Sequence, residues 1–207
     1  MNAPDPVRTF DGLASRIDAT GMRCVGITSA LLGEGVSTIA LGTALSLATL
    51  RPESVLLVDA NWMQPSLTAD ADLLTAPGLA DALAGKCEVT TLIRRAAAPR
   101  PSFLPIGDRA AARPTLRGLS RFLTGGALGY ETVLVDLPPV LAGETYVLPW
   151  AALVDQVFLV LREAATPLPA VREALEKLGT ATPPQIVLNR GMAPSADATA
   201  ALLAVRA

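Results

Sequence analysis

Short runs of apolar residues rich in Val, Ile and Leu alternate along the chain with longer Ala/Leu-rich segments, the pattern of βα units in a parallel sheet. The clearest strand predictions are 23–30 (RCVGITSA), 54–60 (SVLLVDA), 131–137 (ETVLVDL), 156–162 (QVFLVLR) and 184–190 (PQIVLNR), with 102–107 (SFLPIG) as a sixth. Their continuous apolar character implies burial on both faces. Between them, 36–50 (VSTIALGTALSLATL) carries no charge and reads as a largely buried helix, with Leu41, Leu45 and Ala48 on one face. Segment 168–180 is amphipathic, with Val171, Leu175 and Leu178 opposite Arg172, Glu173, Glu176 and Lys177. Shorter helices are expected over 78–85 and 115–123. Pro and Gly punctuate 64–78, 98–114 and 138–149, which read as loops. The Ala-rich stretch after Gly191 forms a last helix or frays.

Composition narrows this to a single domain over 1–207, with 1–20 as an N-terminal extension and 192–207 as a C-terminal tail. With 51% hydrophobic but only 4% aromatic residues, the core is expected to be Ala, Leu and Val, which suits helices layered on a parallel sheet. The fold class is therefore α/β, a parallel, doubly wound sheet flanked by helices. A net charge of −2 argues against a nucleic-acid surface. Apart from Lys86 and Lys177 the basic residues are all Arg, and they read as scattered, so no polybasic patch is expected. Cys24 and Cys87 read as two small buried hydrophobes rather than a disulfide or metal pair. No leader-like apolar region opens the chain and no stretch approaches a membrane span, so the expectation is a cytoplasmic protein without direct membrane insertion.

The chemistry gathers on loops that leave strand ends, where parallel α/β sheets form their ligand crevice. The first strand runs into LLGEGVST and then into a helix, a context in which glycines turn backbone N–H groups inward as an anion cradle. With Lys at Val36 this would be a nucleotide-binding phosphate loop. Ser37 holds the position of a Mg²⁺-binding hydroxyl, and Thr38 is able to reach an inner phosphate. The bland alternative is a plain strand-to-helix turn. Two further strands end in carboxylates, Asp59 in VLLVDA and Asp136 in TVLVDL. Burying both is costly unless something cationic faces them, so the repeat suggests a shared Mg²⁺–nucleotide edge. Either Asp alone would read as a turn cap.

These motifs, in order, resemble the cytoplasmic P-loop domain of bacterial tyrosine kinases of capsule and exopolysaccharide synthesis (BY-kinases), relatives of the MinD/ParA ATPases. The likeness is carried by GEGVST (33–38), VLLVDANWMQPSL (55–67), PGLADALAG (77–85), FLPIG (103–107), YETVLVDLPPVL (130–141), LVDQVFLVLREAATP (153–167) and IVLNRG (186–191). It implies a P-loop NTPase-like fold, with Gly33, Glu34, Gly35, Val36, Ser37 and Thr38 as the ATP/ADP-binding segment. It also implies Mg²⁺ on Ser37, Asp59 and Asp136, the two Asp as the catalytic edge, and Asn189 at the adenine base.

The departures fall at the chemistry. Val36 replaces the loop Lys, Asn61 stands where the family has a second carboxylate, and WMQP (62–65) lacks the Arg usual in that turn. A Tyr-rich tail and the ExxRxxR pattern of the ring-forming helix are also missing. The resemblance thus implies an impaired site whose nucleotide binding is weak or lost, in a module that contacts a membrane chain-length or polymerisation protein of polysaccharide export and reaches the membrane through it. Assembly into a homo-oligomer is left open. Two alternatives stand beside this: an active autokinase or ATPase whose cation comes from elsewhere, with Lys86 and Arg162 as candidates, and a MinD/ParA-like spatial regulator. Trp62 and Trp150 read as packing or interface residues, with Trp62 nearer a partner surface.

Overall fold

A computed structural model describes residues 10–51, 54–95, 99–127 and 129–189. The chain runs α1 (Asp11–Thr20), β1 (Cys24–Ser29), α2 (Val36–Leu50), β2 (Val55–Asp59), α3 (Ser66–Asp70), α4 (Leu79–Leu83), α5 (Val89–Leu92), β3 (Ser102–Leu104) and α6 (Leu116–Arg121). A π-helical turn (Phe122–Gly126) follows, then β4 (Thr132–Asp136), α7 (Val140–Ala151), β5 (Gln156–Arg162), α8 (Leu168–Leu178) and β6 (Gln185–Asn189). Six strands form one parallel sheet in the order β3-β2-β4-β1-β5-β6. The chain winds outward from β1 to β3, returns to insert β4 beside β1, and then winds the other way. The carboxyl ends of β1 and β4 therefore lie at the reversal point, where such sheets bind ligands.

Both faces of the sheet are covered, which explains why the strands are apolar at every position rather than at alternate ones. Val55 and Leu57 join Ile27, Leu134, Ile39 and Leu47 in the core under α1 and α2. Leu56 and Val58, pointing the other way, join Val135, Leu79, Val147 and Trp150 in the core under α4, α6, α7 and α8. Cys24 is buried in this second core, and burial pushes its thiol up to about 12. Cys87 departs from its expected burial and is only partly covered.

Two expectations, for 138–149 and for β6, are corrected. Segment 138–149, read as a loop, contributes most of α7. Two of the prolines that suggested a loop sit where a helix tolerates them, Pro139 as the N-cap and Pro138 before it, whereas Pro149 lies inside the helix and forgoes the N–H bond to the carbonyl of Thr145. Gly143 interrupts the helix with φ −126°, and a Cβ there would come within 2.9 Å of Pro138. Half of the 1–20 extension is α1, whose Ala14 and Ile17 are fully buried and which ends on Gly21 in the left-handed region. Phe10 lies across α2 at Gly42, where a Cβ would be 2.2 Å from its ring. Finally, β6 is an edge strand, with Ile186 and Leu188 46% and 65% exposed, so its apolar run does not signal burial on both faces. The 192–207 tail lies outside the described residues. Among the described residues no helix is long and apolar enough to cross a membrane.

Candidate nucleotide site

The loop between β1 and α2 is shaped by Gly33 (φ 78°) and Gly35 (φ 89°), backbone conformations that side chains with a Cβ resist. Gly35 caps α2, and the first intrahelical bond is Ile39 N–H to Gly35 O. The N–H groups before Ile39 in that first turn, those of Val36, Ser37 and Thr38, thus have no intrahelical acceptor and sit at the positive end of a 15-residue helix dipole. This is the anion cradle expected from the sequence.

Its bracing comes from two residues with buried functional groups. Glu34 is 4% exposed, its carboxylate accepting from Leu31 N–H at 2.9 Å and from the Thr166 hydroxyl. Thr166 in turn accepts from Arg162 N–H at 2.9 Å, so the phosphate loop is tied to the turn after β5. Asn189, expected at the adenine base, donates Nδ2 to Glu34 O at 3.0 Å. A Cβ on Gly35 would stand 2.2 Å from that nitrogen. The glycine at this position therefore makes room for Asn189 behind the loop.

Asp59 and Asp136 are register partners at the ends of adjacent strands and both are fully buried. Asp59 is fully engaged: Oδ1 accepts from Asn61 N–H at 3.1 Å, and Oδ2 from Thr68 N–H and hydroxyl at 2.9 and 2.7 Å. Asp136 is not. Its Oδ2 accepts from the Ser37 hydroxyl at 2.7 Å, the Ser66 hydroxyl donates to Ser37 Oγ at 2.8 Å, and Oδ1 is buried with no partner. Burial raises both carboxyls. Asp59 rises to about 6, held back by its hydrogen bonds and the charge of Arg109. Asp136 rises well above the usual carboxylate range, pushed further by the charge of Asp59. Both effects favour the protonated forms, more strongly at Asp136 than at Asp59.

An orphaned buried carboxylate oxygen, a hydroxyl on its sister oxygen and a second carboxylate in the next strand fit a hard cation. Mg²⁺ takes one or two carboxylates and completes its shell with water and phosphate oxygens, which such a pair can serve. Ser37 and Asp136 would hold it, with Asp59 fixing the neighbouring strand end. When bound, Mg²⁺ supplies positive charge to the phosphate oxygens. On the phosphate side the loop itself, residues 30–38, carries no basic side chain. Val36 is 7% exposed and packs into the core with Ile39 and Ala40.

The two cations considered from sequence are placed differently. Lys86 is paired with Asp81 at 3.5 Å and Asp108 at 3.6 Å. Arg162 ends β5 opposite Asn189, and its backbone is held by Thr166. The cation whose charge reaches Asp59 is Arg109, from the loop after β3. Its guanidinium donates to Trp62 O at 2.7 Å and Met63 O at 3.2 Å, while Trp62 Nε1 donates back to Ala112 O at 3.2 Å. A turn that lacks its own Arg is thus held by one from a different loop. Nothing in the local spacing announces this, because Arg109 is about 50 residues from the turn and becomes a neighbour only through β2–β3 pairing. Asn61 is buried, its Oδ1 accepting from Gln64 N–H at 2.9 Å, so it shapes the same turn. Trp62, read from the sequence as a packing or interface residue, is buried and stacked on Tyr146 at 6.0 Å.

No family model matches the chain. A curated protein named "Putative tyrosine-protein kinase EpsB", from Ralstonia solanacearum, is 30% identical over 165 residues, which is 76% of this chain but 21% of that protein. The chain thus spans about a fifth of this relative's length. The solved VpsO kinase domain is 27% identical with a TM-score of 0.71, covering 89% of this chain and 97% of that one. The kinase domain of the Escherichia coli tyrosine kinase ETK shares the fold, with 21% identity, a TM-score of 0.78 and coverage of 88% and 74%. With the ordered motifs, the parallel sheet and the strand-end carboxylates, these likenesses place the chain among BY-kinase-type P-loop domains.

Proposed function

We propose that the chain is a BY-kinase-like module of exopolysaccharide or capsular polysaccharide biosynthesis whose phosphate loop no longer supports efficient phosphoryl transfer. In this reading it acts as a binding or regulatory partner of a membrane polymerisation or export protein. The single observation that carries the reading is Val36. A unit charge about 4 Å from a phosphate oxygen is worth on the order of 4 kcal/mol at an effective dielectric near 20, and phosphoryl transfer depends on such charge as it shifts onto the β–γ oxygens. Val36 supplies none of it and instead buries its side chain in the core under α2. What is retained supports residual recognition: the α2 N–H cradle, Ser37, and the Asp59–Asp136 pair with its open oxygen. The name of the Ralstonia relative, a tyrosine-protein kinase, supports the ancestry.

The test is ATP turnover and tyrosine autophosphorylation by the purified chain with Mg²⁺. Neither should exceed the background of an Asp136→Asn control. Brisk turnover by the unmodified chain would sink the proposal.

A further inference from the structure

Charge is distributed along the chain far less evenly than the sequence reading held. Between residues 94 and 121 there are seven arginines and one acid, Asp108, a net +6 in a chain whose total is −2. The remaining residues therefore carry −8. Its described residues run from the β3 edge of the sheet to α6, which covers the adjoining face. Arg94 pairs antiparallel with Phe103 on the outer side of β3, Arg100 leads into β3, and Arg113 leads from it toward α6. On α6, Arg117 and Arg121 are four residues apart and share a face. Arg95, Arg100, Arg113, Arg117 and Arg121 are all exposed, and Leu116, on the same short helix, is 53% exposed.

We propose that this arginine-rich β3 edge is a docking face for an anionic lipid surface. The argument is one of shape and sign. A surface carrying five exposed arginines, on a chain whose net charge is −2, is attracted to a plane of negative charge through that surface. Four to eight basic side chains near a membrane are enough for electrostatic attachment, and an exposed leucine among them adds an apolar contact at the headgroup boundary. The arginines spread over both flanks of β3 and along α6 instead of lining one groove, which suits a plane better than a single peptide. The proposal concerns a surface remote in sequence from the phosphate loop and does not depend on nucleotide binding.

The experiment is co-sedimentation of the nucleotide-free chain with vesicles of phosphatidylglycerol and phosphatidylcholine, against vesicles of phosphatidylcholine alone. Binding is expected only to the anionic vesicles and should be largely lost at 0.5 M salt, where the screening length falls to about 4 Å. Each Arg near such a surface contributes about fivefold in partitioning. The triple variant Arg113→Gln, Arg117→Gln, Arg121→Gln should therefore bind on the order of a hundredfold less, whereas Arg172→Gln on α8 should bind as the parent does. Circular dichroism of the triple variant is expected to match the parent, and Leu116→Ser provides a second, milder variant with a several-fold loss. Equal binding to both vesicle types, no binding to either, or unchanged binding of the triple variant overturns the proposal. So does tighter binding to duplex DNA than to anionic vesicles, which would make the edge a nucleic-acid surface.

Discussion

At the ends of β2 and β4 the candidate site is made of side chains: Asp59 accepts from Thr68, and Asp136 accepts from Ser37, which accepts from Ser66, all at 2.7 to 2.9 Å, leaving one oxygen of Asp136 unpartnered. At the phosphate loop it is made of backbone. There the glycines and the N–H groups of α2 set the geometry, Glu34 and Asn189 brace it from behind, and Val36 turns into the core. The contrast separates two jobs that a working phosphate loop combines. Shape survives the loss of one side chain because backbone conformation sets it. Charge does not survive, because a single lysine would have carried it. In the reading proposed above, the strand-end half is equipped for a metal, and the loop of the other half brings no cation of its own.

The largest expected effect probes the equipped half. Both buried carboxyls have folded values above their ordinary 3.8, so the folded chain holds more protons than the unfolded one. The resulting stability is fully present below about pH 4 and is lost as pH rises through about 6 for Asp59 and higher for Asp136. A rise of about two units at Asp59 corresponds to about 3 kcal/mol. Urea unfolding at pH 5 and pH 8 without Mg²⁺ should show the drop, and Asp136→Asn should flatten it. A parent whose stability is the same at both pH values would mean that the pair is not buried as described.

Next in size is the loop. Gly35→Ala must accommodate φ 89° and a Cβ 2.2 Å from Asn189 Nδ2, so a loss of about 2 kcal/mol or more is expected in thermal or urea unfolding. Glu34→Ala leaves Leu31 N–H and the Thr166 hydroxyl without their acceptor, at a cost of about 1–3 kcal/mol. If either variant is as stable as the parent, the bracing from behind the loop is not what sets its shape. The smallest effect is Arg109→Ala, which removes the donor to Trp62 O and Met63 O. About 1 kcal/mol is expected, with partial recovery in Arg109→Lys, since lysine restores the charge but not the planar fork.

Legibility followed the range of the interactions involved. Strands and the long helix were readable because parallel βα units leave a local apolar pattern, and α2 begins and ends where 36–50 predicts. Segment α7 was missed because Pro139, Gly143 and Pro149 carry loop signals that depend on position within a helix. The half-open β6 looks like every other strand in sequence, since being an edge is a property of the sheet. The loop and both strand-end acids were legible as motifs. Their inequality was not: Asp59 is satisfied by Thr68, nine residues away, while Asp136 depends on Ser37, 99 residues away. Arg109 and Thr166 belong to the same class, contacts made only once the sheet has closed.

The central claim, a formed cradle that lacks its cation, is tested most directly by calorimetric titration of Mg²⁺–ATP into the parent and into Val36→Lys. The account predicts little or no heat for the parent and a gain of roughly tenfold to a hundredfold in affinity for the variant, less than the full Coulomb term because the lysine must also be desolvated. Tight binding by the parent, with no gain on adding the lysine, would contradict it.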